Sequence, residues 1–243
     1  MTYININAQT LDLNKIKNYE HQLDDVMEVT DTSILKAKLL ETELEFKNNP
    51  NELNKVRLGI IYHEITLNLS FLSKEGFKGY AKKSYDILNE LYSSPTTTPE
   101  LLPFIASYRA SALSLMSSET KKLKLLGEAF KEFQIAIDRY AEVSYCPEFM
   151  RGSVSENLPW LFFSKRKYAK RDFQSIIAKQ EKDNGFAGWK IMSFTYWAWA
   201  KQHQSKKYRK QSLNYLDKAI QLDPNYQAGR KLAEELKKKL TKV

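Results

Sequence analysis

Apolar residues recur at three- and four-residue intervals almost from end to end of this chain, beginning with Ile16, Tyr19, Leu23, Val26 and Met27. That spacing gathers side chains on one face of an α-helix, and no segment with the strict alternation of a half-buried strand interrupts it. A chain patterned this way is confined to packing helix on helix. Eight Gly and seven Pro in 243 residues, roughly half the usual share, leave long stretches rich in Leu, Ala, Lys, Glu and Gln, which favour helix. With 42% hydrophobic and 28% charged residues, the chain can bury a sizeable core and is expected to be a soluble globular protein.

The breaks divide it into eleven helices. Asp31, Thr32 or Ser33 caps a second helix that Asn49-Pro50-Asn51 ends near Asn48, and a third runs from about 52 to 72. Gly76 and Gly79 precede a helix over 80–92, and Ser93 to Pro99 is the clearest loop. Further helices are predicted near 100–117, 120–143, 147–163, 167–181, 186–204, 207–222 and 226–241. Residues 1–14 read as a flexible segment and 15–243 as one domain. The domain comprises N-terminal helices over 15–50, hairpins over 52–93, 98–143, 147–181 and 186–224, and an end helix over 226–243.

An internal period accompanies this order. A small residue, an aromatic or Leu four later, and an apolar residue three after that appear as Ala81, Tyr85, Leu88; Ala129, Phe133, Ala136; Ala169, Phe173, Ile176; and Ser212, Leu216, Ala219. Each triplet sits in the second helix of a predicted pair, where a small residue lets the partner helix approach. In the last copy, Ser193 to Tyr226, Tyr196, Trp199 and Ala200 stand in the first helix and His203 near its end. Ser212, Leu216 and Ala219 follow in the second, and Leu222-Asp223-Pro224-Asn225 is the stop. This 34-residue segment resembles a tetratricopeptide repeat, with Trp199 where Leu is usual, Ala200 where Gly is usual and His203 in place of Tyr. The other pairs are longer than the family's unit, so they would be divergent copies over residues 52–243. The resemblance implies an all-α, right-handed solenoid of about four hairpins, with two extra N-terminal helices and a C-terminal end helix.

Charge is uneven along the chain. Residues 1–50 carry 5 basic and 9 acidic groups, residues 51–150 carry 12 of each, and residues 151–243 carry 21 basic against 8 acidic. The basic end is suited to steering an acidic protein, nucleic acid or an anionic surface toward it. The longest apolar runs, such as Trp160 to Phe163, are far short of the ~20 residues that span a bilayer. The opening residues lack the basic start and apolar stretch of a secretory signal, which makes a cytoplasmic location the default; export or membrane tethering is the alternative if a leader has been removed.

Little here points to catalysis or to a cofactor. His21, His63 and His203 are far apart, without a second ligand at helical spacing, and no phosphate-cradling Gly loop or nucleophile turn occurs. His63-Glu64 reads as a helix-face pair, and the one cysteine, Cys146, as a half-buried thiol. Three groups of residues are candidates for binding. Gly152 and Pro159 break the rules of a helix interior, so Arg151, Glu156 and Asn157 either form a polar floor for a partner's carboxylate or an internal contact that shapes a kink. In the helix near 186–204, Phe194, Trp197 and Lys201 are expected to point into a groove while Tyr196, Trp199 and Ala200 pack between helices. Cations gather at the turns inside the pairs: Lys74 and Lys78; Lys121, Lys122 and Lys124; Lys165, Arg166 and Lys167; Lys206, Lys207, Arg209 and Lys210. They form either a basic edge or ordinary solvated turns.

The expected function is a non-catalytic protein-interaction scaffold receiving an acidic or peptide-like partner segment in a concave groove. RNA or anionic-surface binding by the basic edge, and a small-ligand pocket near 151–160, are the alternatives.

Overall fold

The computed structural model describes residues 11–29, 31–69 and 77–242. Among these there are eleven α-helices and no strand: α1 (Leu13–Leu23), α2 (Thr32–Asn48), α3 (Glu52–Leu69), α4 (Tyr80–Ser93), α5 (Leu102–Thr120), α6 (Leu123–Tyr140), α7 (Cys146–Asn157), α8 (Phe163–Lys182), α9 (Trp189–Gln202), α10 (Arg209–Leu222) and α11 (Arg230–Thr241). Residues 1–10, together with Lys74 and Gly76, lie outside the described residues. No described helix is long and apolar enough to cross a membrane.

Local chemistry sets the ends. The Asp12 carboxylate accepts from the backbone N–H of Asn14 and Lys15, so α1 begins at Leu13 and extends into the segment expected to be flexible. Asp31 does the same for α2 through Ser33 and Ile34. Pro103 and Pro147 stand in the first turns of α5 and α7, where a missing N–H costs nothing. The end helix starts at Arg230, four residues later than predicted. The buried Asp223 carboxylate binds the N–H groups of Gln227, Ala228 and Arg230 and holds the intervening chain as a loop.

Pro159 produces the largest departure from expectation. It does not kink a long helix: α7 stops at Asn157, Leu158 turns extended, and Pro159 caps a short 3-10 turn, Trp160–Phe162, before α8. Lys165, Arg166 and Lys167 consequently lie in the opening turn of α8, not in the loop. Gly152 is explained by packing, because a Cβ there would meet the Phe173 ring at 3.0 Å. The glycine lets α8 approach α7 closely.

From α2 onward each helix packs on its neighbours in sequence, and the odd-numbered helices also touch one another in succession, α3 to α5 to α7 to α9 to α11, while α1 packs on the 3-10 turn Pro99–Leu101. They form an inner layer with even-numbered helices outside, an arrangement compatible with a helical repeat. The repeated triplets lie at the seam. Ala81, Ala129, Ala169 and Ser212 are fully buried, as are Leu88, Phe133, Phe173 and Leu216; only Tyr85 is half-exposed. Each small residue brings an even helix against its partner, and the larger residue one turn later fills the space beside it.

Candidate functional site

The face shared by the odd helices is where a helical scaffold would hold a partner, and here residues 11–29 of the same chain lie across it. Leu11 packs beside Ala106 and Tyr140. Lys17 donates to the Phe186 carbonyl at 2.6 Å, just before α9, and its ammonium lies 5.9 Å from the Tyr145 ring at the start of α7. Asp24 receives Lys190 of α9 at 3.0 Å. Asp25 receives Arg57 of α3 through two bonds of 2.6 and 2.8 Å, and Arg57 also donates to the Gln22 carbonyl. Ile16, Leu23, Val26 and Met27 are buried. A cleft of about 460 Å³ remains between α1 and the turn before α9, lined by Lys17, Glu20, Asp24, Tyr145, Gly188 and Lys190.

Beneath the end of this segment is a buried polar cluster. His63 and Glu64 are each 1% exposed, so the pair lies inside the fold. The His63 Nε2 lies 2.7 Å from the Ser111 hydroxyl and its Nδ1 lies 3.1 Å from Glu64. The backbone N–H groups of Glu28 and Val29 point at the Glu64 carboxyl, and Glu28 adopts a positive φ of 54° that turns the chain inward. Burial raises Glu64 to about 8 against those hydrogen bonds. Burial, with the Glu64 carboxyl beside it, also raises Glu28 to about 8, while burial pushes His63 down to about 4. At neutral pH the imidazole is uncharged and the two carboxyls favour their protonated forms. Cys146 is buried rather than half-buried, and burial moves its thiol far above the ordinary range. Among the described residues no group of three His, Cys, Asp or Glu side chains is placed to hold a metal ion.

The structure relocates the residues singled out from sequence. Arg151, 1% exposed, grips a carboxylate with its planar fork, but that carboxylate is Asp172 of α8, reached by two bonds of 2.7 Å. Its remaining nitrogen donates to Gln134, and the guanidinium stacks 4.4 Å from the Tyr168 ring. Burial raises the Asp172 carboxyl above its ordinary range, with Arg151 pulling the other way. Neither a polar floor nor an Arg151–Glu156 contact forms. Glu156, also buried, pairs with Lys201 at 2.5 Å and accepts from Gln202. Asn157 is exposed and turned back onto the Ser153 carbonyl.

Phe194 does not project into an open groove; it packs edge-on against Phe149, Phe173 and Trp197. Trp197 is 9% exposed, with the Lys201 ammonium 5.0 Å from its ring. Tyr196 and Trp199 do pack between helices, both against Tyr215. The cleft beside α1 is lined by none of the residues 151–160 that the small-ligand alternative singled out. Sequence reasoning missed α1 as the occupant of the inner face, although the acidic run Asp24-Asp25 was the available signal.

The basic turns remain outside. Lys206, Lys207 and Lys210 are exposed, Lys206 and Lys207 standing on a 3-10 turn and Arg209 with Lys210 opening α10. Arg209 donates to the Leu240 carbonyl and so ties α10 to the end helix. Lys165 covers the Phe130 ring at 4.5 Å, and Lys170 lies 5.7 Å from the Tyr208 ring. Those two contacts link successive hairpins along one edge. Comparison of the chain with family models, curated proteins and solved structures gives no match.

Proposed function

We propose that this chain is a non-catalytic interaction scaffold, built of tetratricopeptide-like hairpins in a right-handed solenoid. Its inner face takes an amphipathic helix with acidic residues at its C-terminal end. The observation that carries the reading is that residues 11–29 of the chain already bind there as such a helix, with Asp24 held by Lys190 and Asp25 by Arg57. Helix-in-groove recognition uses one apolar stripe for affinity and charges at its rim for register. Ile16 and Leu23 supply the stripe and the two aspartates the register.

The same geometry supports an exchange. Within α1 only Ile16 and Leu23 are buried, each worth about 1.5–3 kcal/mol, and the ion pairs are partly exposed and individually weak. A partner segment that binds tightly enough to overcome the effective concentration of the tethered α1 displaces it and leaves α1 free. The basic residues of α3 and α9 favour an acidic partner, in keeping with the charge of the C-terminal half.

A labelled peptide of residues 11–29 tests the exchange. Little binding is expected to the wild-type chain, whose face is occupied. Saturable binding is expected to an Ile16→Asp variant, whose α1 is weakened, and none when the peptide carries Asp24→Lys and Asp25→Lys. An Ile16→Asp variant that keeps its helical circular dichroism yet ignores the native peptide would refute the reading.

A further inference from the structure

The short turn between α7 and α8 carries apolar side chains that the fold leaves uncovered. Trp160 is 78% exposed, Leu161 56% and Phe163 68%, and Leu123, at the start of α6, is 64% exposed. Burying side chains of this size is the main source of folding energy, so a cluster left on the tip of a hairpin marks a contact surface. The tip is flanked by cations. Lys165, Arg166 and Lys167 follow it directly, and Lys206, Lys207 and Lys210 occupy the corresponding turn of the next hairpin. Among the described residues none of these six lies within ion-pair distance of a carboxylate. No acidic residue occurs from Asn157 to Arg171, nor from Asn184 to Leu216. The acids bounding the first stretch, Glu156 and Asp172, are buried and paired inside.

We propose that this edge docks on an anionic lipid bilayer, with Trp160, Leu161 and Phe163 entering the interface and the flanking lysines and arginines facing the headgroups. The proposal is independent of the inner face and of its helical ligand. Three features select the bilayer. The apolar groups stand on a turn instead of lining a groove, which suits insertion into a soft, flat surface. Trp is the residue that settles at the headgroup level, with Leu and Phe reaching the acyl boundary. The edge has cations in two adjacent turns and no acidic residue in the surrounding stretches, which complements a surface of uniform negative charge. Single-stranded RNA would use the cations and Tyr208, but gives no role to Leu161 or Phe163.

The test uses the full chain with two vesicle preparations, phosphatidylcholine alone and phosphatidylcholine mixed with phosphatidylserine. Sedimentation with the serine-containing vesicles is expected, weakening as salt rises, with little on phosphatidylcholine alone. The Trp160→Ser, Phe163→Ser double variant, altered only at exposed positions, should bind at least about tenfold more weakly with an unchanged melting curve. Lys206→Glu with Lys207→Glu should lower the affinity by a similar factor. Brominated acyl chains should quench wild-type tryptophan fluorescence and lose that effect in Trp160→Phe, a readout that does not depend on the double variant folding. Failure to sediment with serine-containing vesicles overturns the proposal. So does undiminished binding by the tip variant, or binding of poly(U) without binding of vesicles.

Discussion

Arg151→Ala and Asp172→Ala are each expected to destabilise the chain by about 3–5 kcal/mol, because each takes the two-bond partner from a buried charge, with the more exposed Arg171, 3.5 Å away, left beside Asp172 in the first variant. Both residues are 1% exposed and joined by two short bonds, so no water is at hand to replace the missing group. In a domain of this size, such a loss lowers the melting temperature by about 10–15 °C. The double replacement Arg151→Met with Asp172→Leu should recover most of it, since burying two ions costs nearly as much as their attraction returns. The upward displacement of the Asp172 carboxyl expresses that cost. Thermal and urea denaturation followed by circular dichroism measure the three variants. Single-alanine variants that melt with the wild type would show the pair to be open to solvent.

Raising the pH from 6.5 to 9 is expected to remove about 2–4 kcal/mol of stability, through Glu28 and Glu64. Both carboxyls are raised to about 8 in the folded chain, above their ordinary value when unfolded. The folded state therefore keeps protons that the unfolded chain has released. The stability this gives is full below the unfolded value and is lost as pH climbs through the folded one. His63 works in the other direction. Held down to about 4, it contributes above the ordinary histidine value and loses its contribution as pH falls toward 4, so it is constant across the alkaline window. Urea midpoints at pH 6.5 and pH 9 should differ for the wild type and much less for Glu28→Gln with Glu64→Gln. Equal wild-type midpoints would mean that the cluster is hydrated. Because Glu28 closes the turn after α1, the same alkaline step should speed amide exchange in residues 13–23 before it reaches α5.

The helices and their pairing are legible in the sequence because they depend on periodicity and on local caps. Ala129 with Phe133 and Ala169 with Phe173 mark the buried side of α6 and α8 without any knowledge of the neighbours. Pro159 is harder to place, since a proline at that spacing is consistent with a kink or a stop. The choice is made by how closely α8 approaches Gly152, a contact across 21 residues. The site is less legible for the same reason. Arg151 has the chemistry of a carboxylate clamp and acts as one, but nothing near it in sequence shows that the carboxylate is Asp172. Phe194 and Trp197 look like anchors because they crowd one helix, but the Phe194 ring is spent on Phe149 and Phe173, and Trp197 packs against Phe194. The charge imbalance between the two ends is partly consumed within the molecule, where Lys190 meets Asp24 across 166 residues. The cations left without an internal carboxylate include Lys206 and Lys207, on an exposed 3-10 turn.

The contact of Lys17 with the Phe186 carbonyl spans 169 residues, and it changes how such a molecule comes apart. An array in which each hairpin touches only the next can fray from either end, one unit at a time, with intermediates along the way. A clasp between the first helix and the last hairpin turns that open stack into a closed one. Losing the fourth hairpin then costs the N-terminal segment its Phe186 and Lys190 contacts as well, so melting gains cooperativity. The same closure delays completion of the fold during synthesis, because α1 leaves the ribosome first and waits for α9 before it can settle.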